Sequence, residues 1–141
     1  CFGCGPANEK GLQIDSYEIE NGLVTKFSPK EEHKAFPGVL NGGIIGTLLD
    51  CHGNWTAAIA IMYERELDKP DCTVTANYSV KLKRPTPMNQ TLKITSSIVN
   101  VSRDRAEIKM WLESEDGKMC AEGSGLFVAV SEGHPAYHRW H

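Results

Sequence analysis

Residues 41–64 read NGGIIGTLLDCHGNWTAAIAIMYE, and this stretch is the strongest indicator of the fold. Its larger apolar residues recur every three or four positions, which is the period of one face of an α-helix. We therefore predict a single long helix from Gly42 to about Glu64, with one apolar stripe buried. The stripe consists of Ile44, Leu48, His52, Trp55, Ile59 and Met62, and Ile45 and Leu49 widen it on one side.

Asp50 lies on the opposite side of this predicted helix, among small residues. At about 100° per residue it falls on the same side as Gly43, Gly46, Gly53, Asn54 and Ala57. Each helical glycine costs about 1 kcal/mol relative to alanine, so we expect something to approach this side closely. A second copy of the helix, a bound ligand or both would explain the small residues. Relief of crowding beneath a sheet is the alternative.

The sequence Asn41-Gly42-Gly43 marks the start of the helix and also offers groups that could take part in a reaction. The first backbone N–H groups of a helix have no intrahelical acceptor, and the helix dipole favours negative charge there. Two glycines let a substrate oxygen approach those donors closely. With the carboxylate of Asp50 nine residues later, these are the groups that an acyl-transfer site needs. Asn41 is also a favourable helix N-cap, which needs no catalytic explanation.

Strand patterns surround the helix. Residues 12–28 form a predicted hairpin that turns at Asn21-Gly22, and residues 29–38 read as a loop. After the helix, short turns join four strand patterns, which cover residues 72–83, 91–102, 106–112 and 119–130. Adjacent Ile98 and Val99 interrupt the alternation of the second of these and indicate either a bulge or a strand buried on both faces. Because no helix separates the last four strands, we predict an α+β fold in which a mostly antiparallel sheet curls around one helix.

Length and composition limit the class of protein. The chain has 141 residues, of which 40% are hydrophobic, and its formal net charge is −3. Such a length is typical of one domain, so we expect a single domain over residues 1–141. Mixed charges without a basic tract disfavour nucleic acid as a partner. No apolar run reaches the roughly 18 residues of a membrane span, so we expect none.

The cysteines indicate the compartment. There are five of them, and an odd number in a chain with its own core argues against a secreted disulfide framework. We therefore expect a reducing, cytoplasmic location. Because the sequence begins at Cys1 rather than at a methionine, preceding residues, including a removed targeting segment, remain open.

Three stretches of the chain resemble one known family. Residues 33–50, HKAFPGVLNGGIIGTLLD, resemble the signature of the hotdog-fold acyl-CoA thioesterases of the PaaI type. In that signature a loop ending in His-Gly-Gly leads into the central helix, and an acidic residue follows nine positions after the His. Residues 75–85, TANYSVKLKRP, resemble the family's next strand, and residues 1–6, CFGCGP, resemble the start of one branch. The similarity spans nearly the whole chain.

The resemblance implies a hotdog fold, a curved antiparallel sheet wrapped around one long central helix. It also implies a homodimer or homotetramer with active sites at the subunit interface. By position, the backbone N–H of Gly42 would polarise the thioester carbonyl of an acyl-CoA, and Asp50 of the facing subunit would activate water or attack directly. No cofactor is implied, since the coenzyme A moiety is part of the substrate.

The chain departs from the family signature at Asn41, which stands where His is commonest. An Asn side chain can donate a hydrogen bond but cannot exchange a proton near neutral pH. The alternative is therefore a non-catalytic protein that binds acyl-CoA or an acyl carrier. A third possibility, a hotdog dehydratase, normally needs a His and an acidic residue at the site. Only His33 or His52 could supply the His, and the position of His52 on the apolar stripe is typical of a core or interface residue.

Several further residues are candidates for substrate binding: Gly43, His33, Thr75, Asn77 and Arg84. Thr75 and Asn77 alternate with apolar residues, which is also ordinary on the solvated face of a sheet. Arg84, with Lys81 and Lys83, suits the phosphates of coenzyme A, although surface solubility explains these cations equally well.

Two features of the cysteines raise the possibility of a metal site or of a cysteine nucleophile. Cys1 and Cys4 form a lone C-x-x-C, whereas a structural zinc site needs four ligands, so we predict no metal site. Cys51 beside Asp50 lacks a recognisable base of its own, which argues against a cysteine hydrolase.

Overall fold

The structure of the protein is a computed structural model that describes residues 1–138. The last three residues of the expected domain over residues 1–141 lie outside that range. One long α-helix, one short 3-10 helix (Glu31–His33) and eight strands make up the described chain. In chain order they are β1 Tyr17–Ile19, β2 Gly22–Phe27, the 3-10 helix, β3 Lys34–Phe36, β4 Val39–Leu40, α1 Gly42–Glu64, β5 Thr73–Leu82, β6 Leu92–Val101, β7 Arg105–Glu113 and β8 Met119–Ala129.

Six of the strands form one antiparallel sheet in the order β1-β2-β6-β7-β8-β5. The helix packs against β2 and β5 to β8, and the core lies between the helix and this sheet. The predicted α+β architecture, one helix against an antiparallel sheet, is confirmed. The core's fully buried large side chains include Leu48, Leu49, Ile61, Leu92, Ile94, Ile108, Leu112 and Phe127.

The buried side of α1 differs from the predicted stripe by about one residue position. Burial is centred on Leu49, Gly53, Thr56 and Ala60, whereas Trp55, Ile59 and Met62 of the predicted stripe are only half-buried. A Cβ placed on Gly53 would lie 2.8 Å from Cζ of Phe127 and 3.1 Å from Sδ of Met110. For Gly53 the alternative, relief of crowding beneath the sheet, therefore holds, since this glycine lets the sheet lie close to the helix.

The hairpin near the amino terminus turns one residue earlier than predicted. Ile19 pairs with Gly22, so Glu20 and Asn21 form the turn, and Asn21 has a φ of 55°. Gly22 is the first residue of β2, and a Cβ there would lie 1.9 Å from the carbonyl oxygen of Ser96. The glycine thus permits close strand approach rather than the turn itself.

Residues 29–38, predicted as a loop, contain more structure than expected. The 3-10 helix is followed by the short hairpin of β3 and β4, which turns at Pro37-Gly38, where Gly38 has a φ of 82°. The segment directly before α1 also pairs with the chain after β5, through a bridge between Val39 and Pro87 and a 2.9 Å bond from the N–H of Leu40 to the carbonyl of Thr86.

The register shifts in four of the strand pairs, and two of these shifts bear on the sequence patterns. The bulge expected near Ile98 is confirmed, since the register of β6 and β7 shifts between Ile98 and Asn100. A second, unpredicted bulge lies in β5, where the register shifts between Thr75 and Asn77. It reverses the alternation of side chains along β5. Among residues 1–138, no helix combines the length and hydrophobicity that a membrane crossing requires.

Candidate active site

Asn41 caps the helix start. Its backbone is extended, with φ −62° and ψ 133°, and its side-chain oxygen accepts a 3.1 Å hydrogen bond from the N–H of Ile44. The first backbone bond of the helix runs from the N–H of Ile45 to the carbonyl of Asn41 at 3.2 Å. The N–H groups of Gly42 and Gly43 precede that bond, at the positive end of a helix of 23 residues. The Asn41 amide therefore acts as an N-cap, and the backbone N–H groups of Gly42 and Gly43 have no acceptor within the helix.

Asp50 is half-buried and held by a neighbouring strand. The hydroxyl of Thr75 donates a 2.6 Å hydrogen bond to its carboxylate, and the amide of Asn54 donates to the same hydroxyl at 3.3 Å. The hydroxyl of Thr73 in turn donates to the side-chain and backbone oxygens of Asn54. A chain of hydrogen bonds thus fixes the orientation of one carboxylate oxygen and leaves the other for chemistry.

Asp50 borders a small cavity of about 110 Å³ between the helix, β5 and the amino-terminal loop. Its lining comprises Cys1, Cys4, Asp50, Cys51, Asn54, Trp55 and Thr75. A larger cavity of about 660 Å³ shares Cys4 and Trp55 with it but does not include Asp50. The larger cavity offers room for an apolar group, and Asp15 and Glu18 stand in its lining, whereas Asp50 lines only the smaller one.

Gly42 and Asp50 of one chain are too far apart to act on one carbonyl. Eight residues separate them on a continuous helix, which is about 12 Å at 1.5 Å per residue. A nucleophile and a reacting carbonyl must approach to about 3–3.5 Å. A site that uses both groups therefore needs two chains.

Strand β5, at the edge of the sheet, runs from the side chain of Asp50 to the start of the helix at Gly42. Near its start, Thr75 binds Asp50, and at its end the Cδ1 atom of Leu82 lies 3.2 Å from the position of a Cβ on Gly42. Between them Tyr78 reaches toward the helix, with its hydroxyl 3.6 Å from a Cβ on Gly46. Tyr78 and Leu82 nevertheless remain 44% and 58% exposed, since no further strand flanks β5 in the described part of the chain.

The structure places His33 away from this cavity. Its ring nitrogen Nδ1 accepts a 3.0 Å hydrogen bond from the N–H of Lys30, and its ring packs against Phe27 at a centroid distance of 5.5 Å. The carbonyl of His33 accepts from the N–H of Asn41 at 2.9 Å. His33 thus supports the loop before the helix, and its imidazole is committed to that role rather than to the small cavity.

Asn77 and Arg84 lie in different places relative to the site. Asn77 pairs with Leu126, whereas Thr75 pairs with the fully buried Phe127, so Asn77 lies on the face of the sheet turned away from the helix. The bulge in β5 is the reason that the two side chains part. Arg84 lies just beyond β5, with its N–H 3.2 Å from the carbonyl of Cys120, at the end of the strand that reaches the helix start.

His52 is a core residue, as predicted. It is fully buried, with Nδ1 2.8 Å from the hydroxyl of Ser16 and Nε2 3.0 Å from the carbonyl of Leu23. A carbonyl only accepts, so Nε2 carries the proton and Nδ1 accepts from Ser16. Burial lowers the pKa of His52 from 6.5 to about 4, which keeps the ring neutral at neutral pH. Its two engaged nitrogens argue against the dehydratase reading.

Sequence reasoning missed Asn54 as part of the site. It follows Asp50 by four positions, a spacing that places both side chains on one side of a helix, and that spacing was the available signal. Cys51 was also not linked to Cys1 and Cys4, because nothing local in the sequence indicates that the amino-terminal loop folds onto the helix.

The comparisons with known proteins bear on this geometry. The family model described as the thioesterase superfamily matches residues 37–121, more than half of the chain and the part that contains both Gly42 and Asp50. The chain belongs to the thioesterase superfamily. Its fold is the hotdog fold, as the resemblance in the sequence implied.

Solved structures of this superfamily match nearly the whole chain. A thioesterase superfamily protein from Shewanella loihica is 29% identical, with a TM-score of 0.70 over 84% of this chain and 91% of its own. The thioesterase from Haemophilus influenzae is 16% identical, with a TM-score of 0.75 over 93% of this chain and 90% of its own. The PaaI protein of the E. coli phenylacetic acid degradation operon is 15% identical, with a TM-score of 0.70 over 85% and 81%. The last two similarities concern the fold alone.

Proposed function

We propose that this thioesterase-superfamily protein hydrolyses an acyl-CoA, as a homodimer or homotetramer whose active sites lie between subunits. One observation carries the proposal. Edge strand β5 has Asp50 and Thr75 beside its start and the amide-lined helix start beside its end. The two halves of a hydrolytic site therefore lie at opposite ends of one exposed edge.

Antiparallel pairing of two β5 strands brings these halves together. A two-fold axis near the middle of β5 places Thr75 of one subunit opposite the Leu82 end of its partner. Asp50 then faces Gly42 of the partner subunit, and the distance of about 12 Å within one chain no longer matters. The same pairing covers the exposed side chains of Tyr78 and Leu82 and closes an open sheet edge.

The proposed reaction uses few groups. The N–H of Gly42, with that of Gly43 beside it, polarises the thioester carbonyl and stabilises the oxyanion, an effect typically worth about 3–4 kcal/mol per donor. The Asp50 carboxylate of the facing subunit takes a proton from water as its oxygen attacks the carbonyl carbon. The carbon–sulfur bond then breaks, the thiolate of coenzyme A takes up a proton, and a carboxylic acid is released. Asn41 holds the helix start in place, Thr75 orients Asp50, and Arg84 is positioned for a phosphate of coenzyme A.

The test is thiol release from a panel of acyl-CoAs that differ in chain length and aromatic character. Asp50→Asn keeps the shape of the side chain but removes the base, and we expect the rate to fall by about 100-fold to 10,000-fold. Asp68→Asn, in the exposed turn after the helix, is the matched control and should leave the rate unchanged. Equal rates for the wild type and Asp50→Asn would rule out the assigned role.

A second candidate function is binding of acyl-CoA or an acyl carrier without catalysis. The commitment of the Asn41 side chain to the N-cap favours it, because no proton-exchanging residue then stands at the helix start. This function requires saturable binding of an acyl-CoA with no release of thiol. Hydrolysis that is lost in Asp50→Asn would eliminate it. For either function we propose the cytoplasm, on the odd number of cysteines.

A further inference from the structure

Three cysteine side chains meet beside the small cavity. The Sγ atoms of Cys1, Cys4 and Cys51 all lie within 4.8 Å of one another, and those of Cys1 and Cys51 are 3.6 Å apart. Cys1 and Cys4 belong to the amino-terminal loop, whereas Cys51 follows Asp50 on the helix. The cluster therefore joins two segments that are 50 residues apart in sequence.

The loop is folded tightly in a way that gathers these sulfurs. The N–H of Gly5 donates to the carbonyl of Cys1 at 2.9 Å, which closes a turn around the C-x-x-C. A Cβ on Gly3 would lie 2.3 Å from Sγ of Cys51, and a Cβ on Gly5 would lie 2.6 Å from the backbone of Cys1. A side chain at position 3 would force either the Cys51 side chain to rotate away or the loop to move. The two glycines thus permit the approach of the three thiols.

The spacing of the sulfurs suits a thiolate-bound metal. Three ligands at a Zn–S distance of about 2.3 Å stand about 3.8 Å apart around a tetrahedral ion. The distance of 3.6 Å between Cys1 and Cys51 is close to this value, and rotation of the exposed Cys1 side chain can adjust its distance from Cys4. The adjoining cavity of about 110 Å³ has room for a water as the fourth ligand.

Charge selects among the metals that thiolates prefer. Soft sulfur ligands suit Zn²⁺ and Cu⁺. Three thiolates leave one net negative charge around Zn²⁺ and two around Cu⁺, and the Asp50 carboxylate lines the same cavity. The dication therefore leaves less repulsion between the site and that carboxylate.

We propose that Cys1, Cys4 and Cys51 bind one Zn²⁺ as thiolates and thereby fasten the amino-terminal loop to the helix next to Asp50. Binding releases the thiol protons to solvent. The bound ion would hold the loop against the helix, with three protein ligands and one open position, and the proposal does not depend on thioester hydrolysis.

The test uses the full chain, freed of metal with a chelator and kept reduced with a phosphine. Co²⁺ serves as the probe, because thiolate-to-cobalt charge transfer absorbs in the near ultraviolet in proportion to the number of bound thiolates. We expect saturation at about one equivalent of Co²⁺ per chain, displacement by Zn²⁺, and a melting temperature that rises with Zn²⁺. Absence of this absorption at one equivalent would overturn the proposal.

Serine variants assign the ligands. Cys4→Ser and Cys1→Ser, in the loop, should each remove about one third of the charge-transfer absorption and weaken Zn²⁺ binding by more than about 10-fold. Cys72→Ser and Cys120→Ser are the matched controls, since both residues are buried elsewhere, and they should leave the spectrum unchanged. Binding that is insensitive to Cys1→Ser and Cys4→Ser, or equally sensitive to the controls, would mean an adventitious ion.

Gly3→Ala tests the geometry without removing a thiol. The added methyl group collides with Sγ of Cys51, so we expect metal binding to weaken although all five cysteines remain. Circular dichroism establishes that each variant retains its fold. An affinity for Zn²⁺ unchanged in folded Gly3→Ala would show that the loop does not deliver Cys1 and Cys4 to Cys51 in the way proposed.

Discussion

Mild acid should destabilise this protein through the protonation of one side chain, His52. Its imidazole is fully buried, and both ring nitrogens are hydrogen-bonded in the neutral form. Burial lowers its pKa from 6.5 to about 4 in the folded chain, whereas the unfolded chain takes up the proton near the ordinary value. Between pH 6.5 and about 4 the unfolded state therefore binds more protons, so stability falls as the pH falls through this window.

The size of this effect follows from the two pKa values. Their difference corresponds to about 3 kcal/mol of stability when the whole window is crossed. Most of the loss comes in the upper part of the window, and acidification from about pH 7 to about pH 5 should cost about 2 kcal/mol through His52. This is a large share of the stability of an ordinary domain, which is about 5–15 kcal/mol.

Urea unfolding at a series of pH values and a fixed protein concentration measures the effect. His52→Gln keeps a polar side chain that does not titrate, so its stability should lack this pH dependence even though it starts lower. Leu48→Ala, a buried change on the same helix, is the control for general destabilisation and should keep the wild-type slope. If His52→Gln lost as much stability on acidification as the wild type, the assignment to His52 would be refuted.

Three further predictions concern packing, assembly and the site. Gly53→Ala should destabilise the protein by about 1–3 kcal/mol because its methyl group overlaps the ring of Phe127. Gly46→Ala on the same helix meets only an ordinary contact with Tyr78 and should stabilise the protein by up to about 1 kcal/mol through helix propensity. Urea unfolding measures both changes in stability. Tyr78→Glu on β5 should halve the mass found by light scattering, and the same change at the exposed Tyr17, on the opposite edge, should not; equal masses would contradict the proposed pairing. Thr75→Val should lower the hydrolysis rate by about 10-fold through loss of the hydrogen bond to the carboxylate, and Thr75→Ser should restore it; similar rates in the two variants would argue against positioning.

Local patterns in the sequence predicted the elements well because periodicity reports directly on one-sided burial. The predicted bounds of α1 agree with the structure, and the four later strands agree to within about two residues at their ends, as is usual for such boundaries. The bulge near Ile98 was visible because two apolar residues stand together there. No local pattern groups Asp50 with Thr75, because the helix and β5 meet only in the folded chain.

The remaining features depend on contacts that no local pattern encodes. Apolar size determined the predicted stripe, but the sheet packs where Gly53 and Ala60 let it approach, so the buried side of the helix was misplaced. Polar and apolar residues alternate along β5 without interruption in the sequence, so nothing there reveals the bulge at Ala76. Beyond the bulge each side chain points to the opposite face from the one that the alternation predicts, so Thr75 and Asn77 do not share a face as the sequence suggested. The meeting of Cys51 with the amino-terminal loop is a long-range contact that required the fold.

The open edge formed by β5 also has a consequence for how the protein is made. A newly synthesised chain presents a ten-residue strand with unused backbone hydrogen-bonding groups and with Tyr78 and Leu82 at its surface. Such an edge can recruit strands from unrelated chains, and natural proteins protect theirs with charges or irregularities. Here the bulge at Ala76 and the lysines at positions 81 and 83 supply some of that protection. With the pairing of β5 strands proposed above, slow encounter between two subunits would favour aggregation, so the solubility of this chain would depend on its concentration in the cell.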